Sequence, residues 1–188
     1  MNATATFFDL AEKGVTALRN TNWHECFLYE KETGNLIWKK RGTPQWNGRY
    51  SGRVAGYVLT DKRGEVRRRC ITINSIHIGA HRVIWEMHHG PIPDGLMLDH
   101  INGNPLDNRL ENLRLATPIE NARNRRMPKT SRSGLKGASW NAKRNAWESR
   151  IKTASACKFL GYYATKEDAH EAYCRAAIEH HGNFARLK

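Results

Sequence analysis

Leu98-Asp99-His100-Ile101-Asn102-Gly103-Asn104 sets a carboxylate beside an imidazole, and two further side-chain amides, Asn112 and Asn121, follow at short intervals. Phosphodiester hydrolysis needs an activated water, neutralisation of the phosphate and help for the leaving 3′ oxygen. One hard cation can serve the last two needs. Asp99 offers an anionic oxygen and Asn121 a neutral one, and oxygen donors select Mg²⁺ or Mn²⁺, one ion per site, over zinc. Neighbouring strand residues point to opposite faces, so His100 is placed as general base rather than as a third ligand. Its ordinary pKa near 6.5 suits proton transfer at neutral pH. The base needs its other ring nitrogen held, and the amide oxygen of Asn112 is expected to accept that proton. Asn102, Asn104 and Asn108 read as loop formers.

The elements around these residues follow from local patterning. Leu96-Met97-Leu98 is a short apolar run ending at Asp99-His100, and Leu113-Arg114-Leu115 is a second one. Thr117-Pro118-Ile119-Glu120 has the form of a helix start: Thr as N-cap, Pro at N1 and Glu at N3 closing a capping box. Asn121 therefore stands in the first turn of a helix. Upstream, Phe27–Tyr29 and Leu36–Trp38 read as a hairpin turning at residues 31–35. Residues 52–60 and 66–78 read as strands, with a tight turn at Asn74-Ser75, and residues 80–88 as a short helix stopped by Gly90-Pro91. Residues 1–22 are expected to be an N-terminal extension with a short helical face through Phe7, Phe8, Leu10, Val15 and Leu18.

A chain of 188 residues is one or two domains, and its net charge of +13 points to a polyanionic partner. Membranes are the competing polyanion, but there is no apolar run of spanning length and no anchoring basic helix. The N-terminus lacks the form of a secretory signal, and Cys26, Cys70, Cys157 and Cys174 form no CxxC, so reduced thiols in a cytoplasm are expected. The charge is uneven. Residues 121–160 carry Arg123, Arg125, Arg126, Lys129, Arg132, Lys136, Lys143, Arg144, Arg150, Lys152 and Lys158 against Glu148 alone. Surfaces built only for solubility intersperse both signs.

His81-Arg82, Leu98–Asn104, Asp107-Asn108-Arg109, Glu111-Asn112-Leu113-Arg114 and Glu120-Asn121-Ala122 together resemble the HNH homing endonucleases, in their phage-borne H–N–N form, from about Tyr29 to Arg126. The resemblance implies a ββα-metal fold, with the acidic metal ligand at Asp99, the general base at His100, the residue orienting that base at Asn112 and the second metal ligand at Asn121. It implies double-stranded DNA as partner, no small-molecule cofactor and, for a phage-encoded enzyme, the cytoplasm of a bacterial host. His81 reads as mainly structural.

Beyond a basic linker at 127–135, strands are expected at 136–141, 146–152 and 157–163. A helix follows at 166–181, with a stripe of Ala169, Ala172, Tyr173, Ala176 and Ala177. Residues 134–183 resemble the DNA-binding domain of plant ethylene-response factors (APETALA type), through Gly134–Trp140, Ala146–Ile151, Phe159–Tyr163 and His181-Gly182-Asn183. That resemblance implies a three-stranded sheet that enters the major groove with a helix behind it. Arg150 and Lys152 alternate with Ser149 and Ile151, so one face of the middle strand is cationic. With Arg150 and Lys152, the residues expected to contact DNA are Ser139 and Asn141 on the first strand, Lys143 and Arg144 in the turn, Lys158 on the third strand, Lys136 at the start of the first, and Arg123, Arg125 and Arg126 ahead of the linker. Trp140 and Trp147 are expected to pack in the core.

The expected fold class is α+β: an N-terminal extension (1–22), a nuclease domain (23–126) with a β-rich N-terminal segment, a linker (127–135), and a DNA-binding domain (136–188) of one three-stranded antiparallel sheet on one helix. The expected function is a metal-dependent DNA endonuclease targeted by its C-terminal domain. The alternative is a catalytically inactive DNA-binding regulator built on the same two domains. An RNA-binding module lacks the glycine-aromatic motif it would need. One active site per chain favours a nick from a monomer.

Overall fold

The computed structural model describes residues 21–125, 127, 131–153 and 156–187, so the expected helical face within residues 1–20 lies outside the described residues. The fold is α+β, and the chain divides into two compact units, one up to Leu115 and one from Ala116.

The first unit begins with a single helical turn, α1 (Trp23–Cys26), followed by the hairpin β1 (Phe27–Glu30) and β2 (Asn35–Trp38). These strands pair antiparallel from Phe27↔Trp38 to Glu30↔Asn35. A short helix, α2 (Pro44–Tyr50), was not evident from patterning, because it buries no residue and so has no apolar stripe. Its start is legible only as Thr43-Pro44, where the Thr43 hydroxyl accepts from Trp46 N.

Next come β3 (Tyr57–Thr60), β4 (Val66–Ile73) and β5 (Ile76–Gly79), an antiparallel sheet in that order. The first strand is shorter than expected because Gly52 and Gly56 take positive φ. Asn74 and Ser75 both have positive φ, as a two-residue hairpin turn of the I′ kind requires. Helix α3 (Ala80–His89) lies against this sheet. Phe27, Leu36, Ile71, Ile73, Ile78, Val83, Ile84 and Leu113 form one core. Burying each of the larger ones contributes about 1.5–3 kcal/mol. β6 (Met97–His100) and β7 (Leu113–Ala116) then make a two-stranded sheet, with a 3₁₀ turn at Leu110–Asn112 between them.

In the second unit, α4 (Pro118–Arg123) precedes β8 (Ala138–Asn141), β9 (Ala146–Lys152), β10 (Cys157–Tyr163) and α5 (Lys166–His181). The sheet order is β10-β9-β8, all antiparallel. Helix α5 buries the expected stripe of Ala169, Ala172, Tyr173, Ala176 and Ala177. Gly137 has φ +79°, and a Cβ there would come within 2.2 Å of the Tyr173 ring, so the chain entering β8 can touch the helix only through glycine. The capping box at α4 is present: Thr117 Oγ1 accepts from Glu120 N, and a Glu120 carboxylate oxygen accepts from Thr117 N at 2.8 Å.

Sequence reading placed α4 with the nuclease domain, whereas by its contacts it groups with the C-terminal unit. Lys136 Nζ donates to the carbonyls of Arg123 (2.7 Å) and Arg125 (3.1 Å), binding the carbonyl end of α4 to the segment before β8.

Candidate active site and nucleic-acid face

Asp99 and His100 end β6, and the loop they enter is braced by its own polar groups. Gly103 N donates to His100 O, Asn104 N to Asn102 Oδ1, and Asn102 Nδ2 to Asp107 Oδ2 at 2.7 Å. Arg109 grips both oxygens of Asp107 at 2.8 Å, which holds that carboxyl well below the usual range, at about 2. The N-terminal hairpin closes the loop from outside. Tyr29 Oη accepts from Leu110 N at 3.0 Å. Gly34, with φ +69°, lies so close to the Asn108–Arg109 peptide that a Cβ would come within 2.5 Å of Arg109 N.

The buried amide next to His100 is Asn108, 1% exposed, whose Oδ1 is 2.9 Å from His100 Nε2. This bond selects the tautomer with the proton on Nε2 and the lone pair on Nδ1. The proton-accepting role was expected of Asn112. Its Oδ1 instead accepts from Asn102 N (2.9 Å), and its Nδ2 donates to Asn102 Oδ1 (3.1 Å) and Asp107 O (2.7 Å). Asn112 thus cross-links the two ends of the loop, while Asn108, read as a loop former, reaches the His100 ring. The reason is geometric: Asn112 closes the 3₁₀ turn into β7, and Asn108 precedes that turn and points back under His100. The signal that could have found it is its place in Asp107-Asn108-Arg109.

His81, on α3, has its ring centroid 5.3 Å from that of His100. Burial first, then repulsion from His100, Arg68 and Arg82 against a second charge, push His81 down to about 3, so it is neutral at working pH. Its Nδ1 is buried without a hydrogen-bond partner among the described residues, and its ring lies over Gly79, where a Cβ would be 2.5 Å from Cε1.

Asp99 is 6% exposed, and its Oδ2 accepts from Arg114 Nε (2.9 Å) and Nη2 (2.8 Å) on β7. Asn121 stands in the first turn of α4, in the second unit. Among the described residues, no group of three His, Cys, Asp or Glu side chains is placed to hold a metal ion. The Asp99 carboxylate is the kind of donor a hard cation takes, with further ligands drawn from phosphate and water. Arg114 would share the carboxylate with it.

On the C-terminal sheet, Ser149 and Ile151 are buried while Arg150 and Lys152 are exposed, as the alternation predicts. The register puts Glu148 between Ser139 and Tyr162, and Arg150 beside Phe159, all on the face away from α5. Glu148, buried, takes Arg150 Nε and Asn141 Nδ2, so Arg150 is held by an acid within its own strand. Arg150 also lies over the Phe159 ring, and Arg144, exposed in the turn with Lys143, lies over Tyr162.

Three expectations need correction. Lys158 pairs with Ile151, which puts it on the helix side of the sheet, where its Nζ lies 3.5 Å from His180 Nε2. Lys136 turns inward to the α4 carbonyls, and burial lowers its pKa. Trp140 keeps 50% of its surface exposed, packed edge-on against Trp147 at the end of an edge strand rather than in the core. Arg125 is exposed, Arg123 ends α4, and Arg126 lies outside the described residues. Reading charge mainly in the tail also missed Arg67, Arg68 and Arg69, consecutive in the outer half of β4.

Residues 79–123, which contain Asp99, His100, Asn108 and Asn112, match the model of the HNH endonuclease family. The chain is similar to Protein 3.8 of Escherichia phage T7, 42% identical over 108 residues that span 57% of this chain and 88% of that protein. It is also similar to an uncharacterized HNH endonuclease of Acanthamoeba polyphaga mimivirus, 35% identical over 106 residues, 56% of this chain and 54% of that protein. Among solved structures it is similar to one described as DNA binding and cleavage by the HNH homing endonuclease I-HmuI, at 20% identity and a TM-score of 0.35, covering 82% of this chain and 84% of that one. Among the described residues, no helix is long and apolar enough to cross a membrane.

Proposed function

We propose that the chain is a metal-dependent DNA endonuclease of the homing type. The observation that carries this reading is the His100–Asn108 pair inside the segment the family matches. With Nε2–H donating to Asn108 Oδ1, His100 Nδ1 takes the proton from a water as that water attacks phosphorus. Asn108 then stabilises the imidazolium through the same bond. Asn112 keeps the loop closed so that His100 does not swing. Asp99 and Asn121 would hold a Mg²⁺ or Mn²⁺ ion, whose chemistry is charge neutralisation on the phosphate and at the leaving oxygen.

The C-terminal unit serves as the targeting module. A twisted three-stranded sheet backed by one helix is the arrangement its resemblance to ethylene-response-factor domains implies, and its outer face offers Ser139, Asn141, Arg150 and Lys152, with Lys143 and Arg144 at the turn. Its substrate on this reading is double-stranded DNA. The regulator reading is favoured by one feature, the Arg114 guanidinium on Asp99 Oδ2.

Incubating long duplex DNA with the protein, with Mg²⁺ and then after exhaustive chelation, separates the two. Cleavage should need the cation and vanish in Asp99→Ala. Full activity after chelation refutes the metal, and absence of cleavage at every cation tried refutes the enzyme.

A further inference from the structure

The second unit contains a cavity of about 460 Å³ between α4 and the part of β9 that runs beyond its pairing with β8. Pockets of about 300–1,000 Å³ are the usual size for small ligands. This one joins two chemistries. Pro118, Ile119 and Ala122 give it an apolar wall, and Ile119 is 54% exposed. Arg123, Lys136 and Lys152 also line it, and no acid is among the described residues that do. Lys136 is committed to the α4 carbonyls, whereas Arg123 Nε is buried with no hydrogen-bond partner among the described residues. His181, 8% exposed, also lines the cavity. Its Nε2 donates to Lys152 O at 3.0 Å, which leaves Nδ1 as an acceptor, and Nδ1 too is buried without a partner among the described residues.

A ligand suited to this place has an anionic group for Arg123 and Lys152, a flat apolar body for Pro118 and Ile119, and an N–H or O–H for His181. We propose that the cavity is a nucleotide-binding site, taking a phosphate-bearing nucleotide with its phosphate at Arg123 and Lys152 and its base on the α4 wall. The nucleotide comes either from a DNA strand or from the free pool. Neither Asp99 nor His100 lines the cavity, and binding can be read without any cleavage, so its failure and that of the nuclease reading are distinguishable.

The test is calorimetric titration of the full chain, without divalent cations, using deoxyadenosine 5′-monophosphate, deoxyadenosine, inorganic phosphate and a single-stranded deoxyadenylate trinucleotide. The monophosphate should bind at least about tenfold more tightly than the nucleoside or inorganic phosphate. Ile119→Glu sets a carboxylate at the mouth from an exposed position, and Arg123→Gln removes the cation. Each should weaken monophosphate binding by about tenfold or more while the circular dichroism spectrum is unchanged. A trinucleotide that binds about tenfold more tightly than the monophosphate assigns the site to a strand, and one that does not assigns it to the free nucleotide. No monophosphate binding, equal binding of inorganic phosphate, or wild-type binding by both folded variants overturns the proposal.

Discussion

Replacing Asn108 tests the chemistry most directly. Its Oδ1 lies 2.9 Å from His100 Nε2 in a place closed to water. Asn108→Ala removes the acceptor and leaves a buried N–H with nothing to replace it, a loss of about 1–3 kcal/mol. The bond strengthens as the imidazole becomes an imidazolium, so most of that loss falls on the transition state. At about 1.4 kcal/mol per decade, cleavage should slow by roughly 10- to 100-fold. His100→Ala should cost more, about 10²–10⁴. Asn108→Asp carries the sharper signature. A carboxylate on Nε2 favours the charged imidazole and raises its pKa, so the acid limb of the pH–rate profile should move to higher pH by about one unit. The assay is single-turnover cleavage of duplex DNA under saturating protein from about pH 5.5 to 9, with binding measured separately. Asn112→Ala, which loosens the loop without touching the ring, should lower the rate less than His100→Ala and leave the limb in place. An Asn108→Ala protein that cuts at the wild-type rate, or an Asn108→Asp protein with an unmoved limb, would show that the amide does not serve the base.

Two more outcomes follow from neighbouring groups. Burial keeps the folded-state pKa of His81 near 3 against an ordinary 6.5, so the unfolded chain takes up a proton that the folded one refuses. Its contribution is intact above about pH 6.5 and is lost as pH falls toward 3, by up to about 1.4 kcal/mol per pH unit. Urea midpoints at successive pH values should therefore fall less steeply in His81→Gln than in the wild type, and parallel slopes would sink the assignment. Gly34→Ala places a methyl within 2.5 Å of Arg109 N at φ +69°. It should lower the melting temperature and, by displacing Asn108, the cleavage rate together; an unchanged rate in a destabilised protein would separate the hairpin from the site.

Much of this architecture is legible because local chemistry repeats it. Thr117-Pro118-Ile119-Glu120 specifies a capped helix by itself, Asn74-Ser75 a tight turn, and the alanine stripe of α5 a buried face. What escapes is set by the third dimension. Asn108 and Asn112 are the same side chain four residues apart, and only the path of the loop decides which one meets His100. Lys158 looks equivalent to Arg150 as a charge, yet antiparallel register sends it to the other side of the sheet. Trp140 is apolar enough for a core, but an edge strand has a neighbour on one side only. Helix α2 has no buried residue and hence no periodicity to read.

The contact between Gly34 and the Asn108–Arg109 peptide bears on how far this candidate site can be moved between proteins. The matched segment, 79–123, contains the carboxylate, the imidazole and the amides, and looks like a portable cassette. The wall against which Asn108 is pressed, and the phenol that ties down Leu110, come instead from residues 27–38, far upstream. A graft that begins at Gly79 would carry the reactive groups and lose their alignment, so the smallest transplantable unit starts with the hairpin.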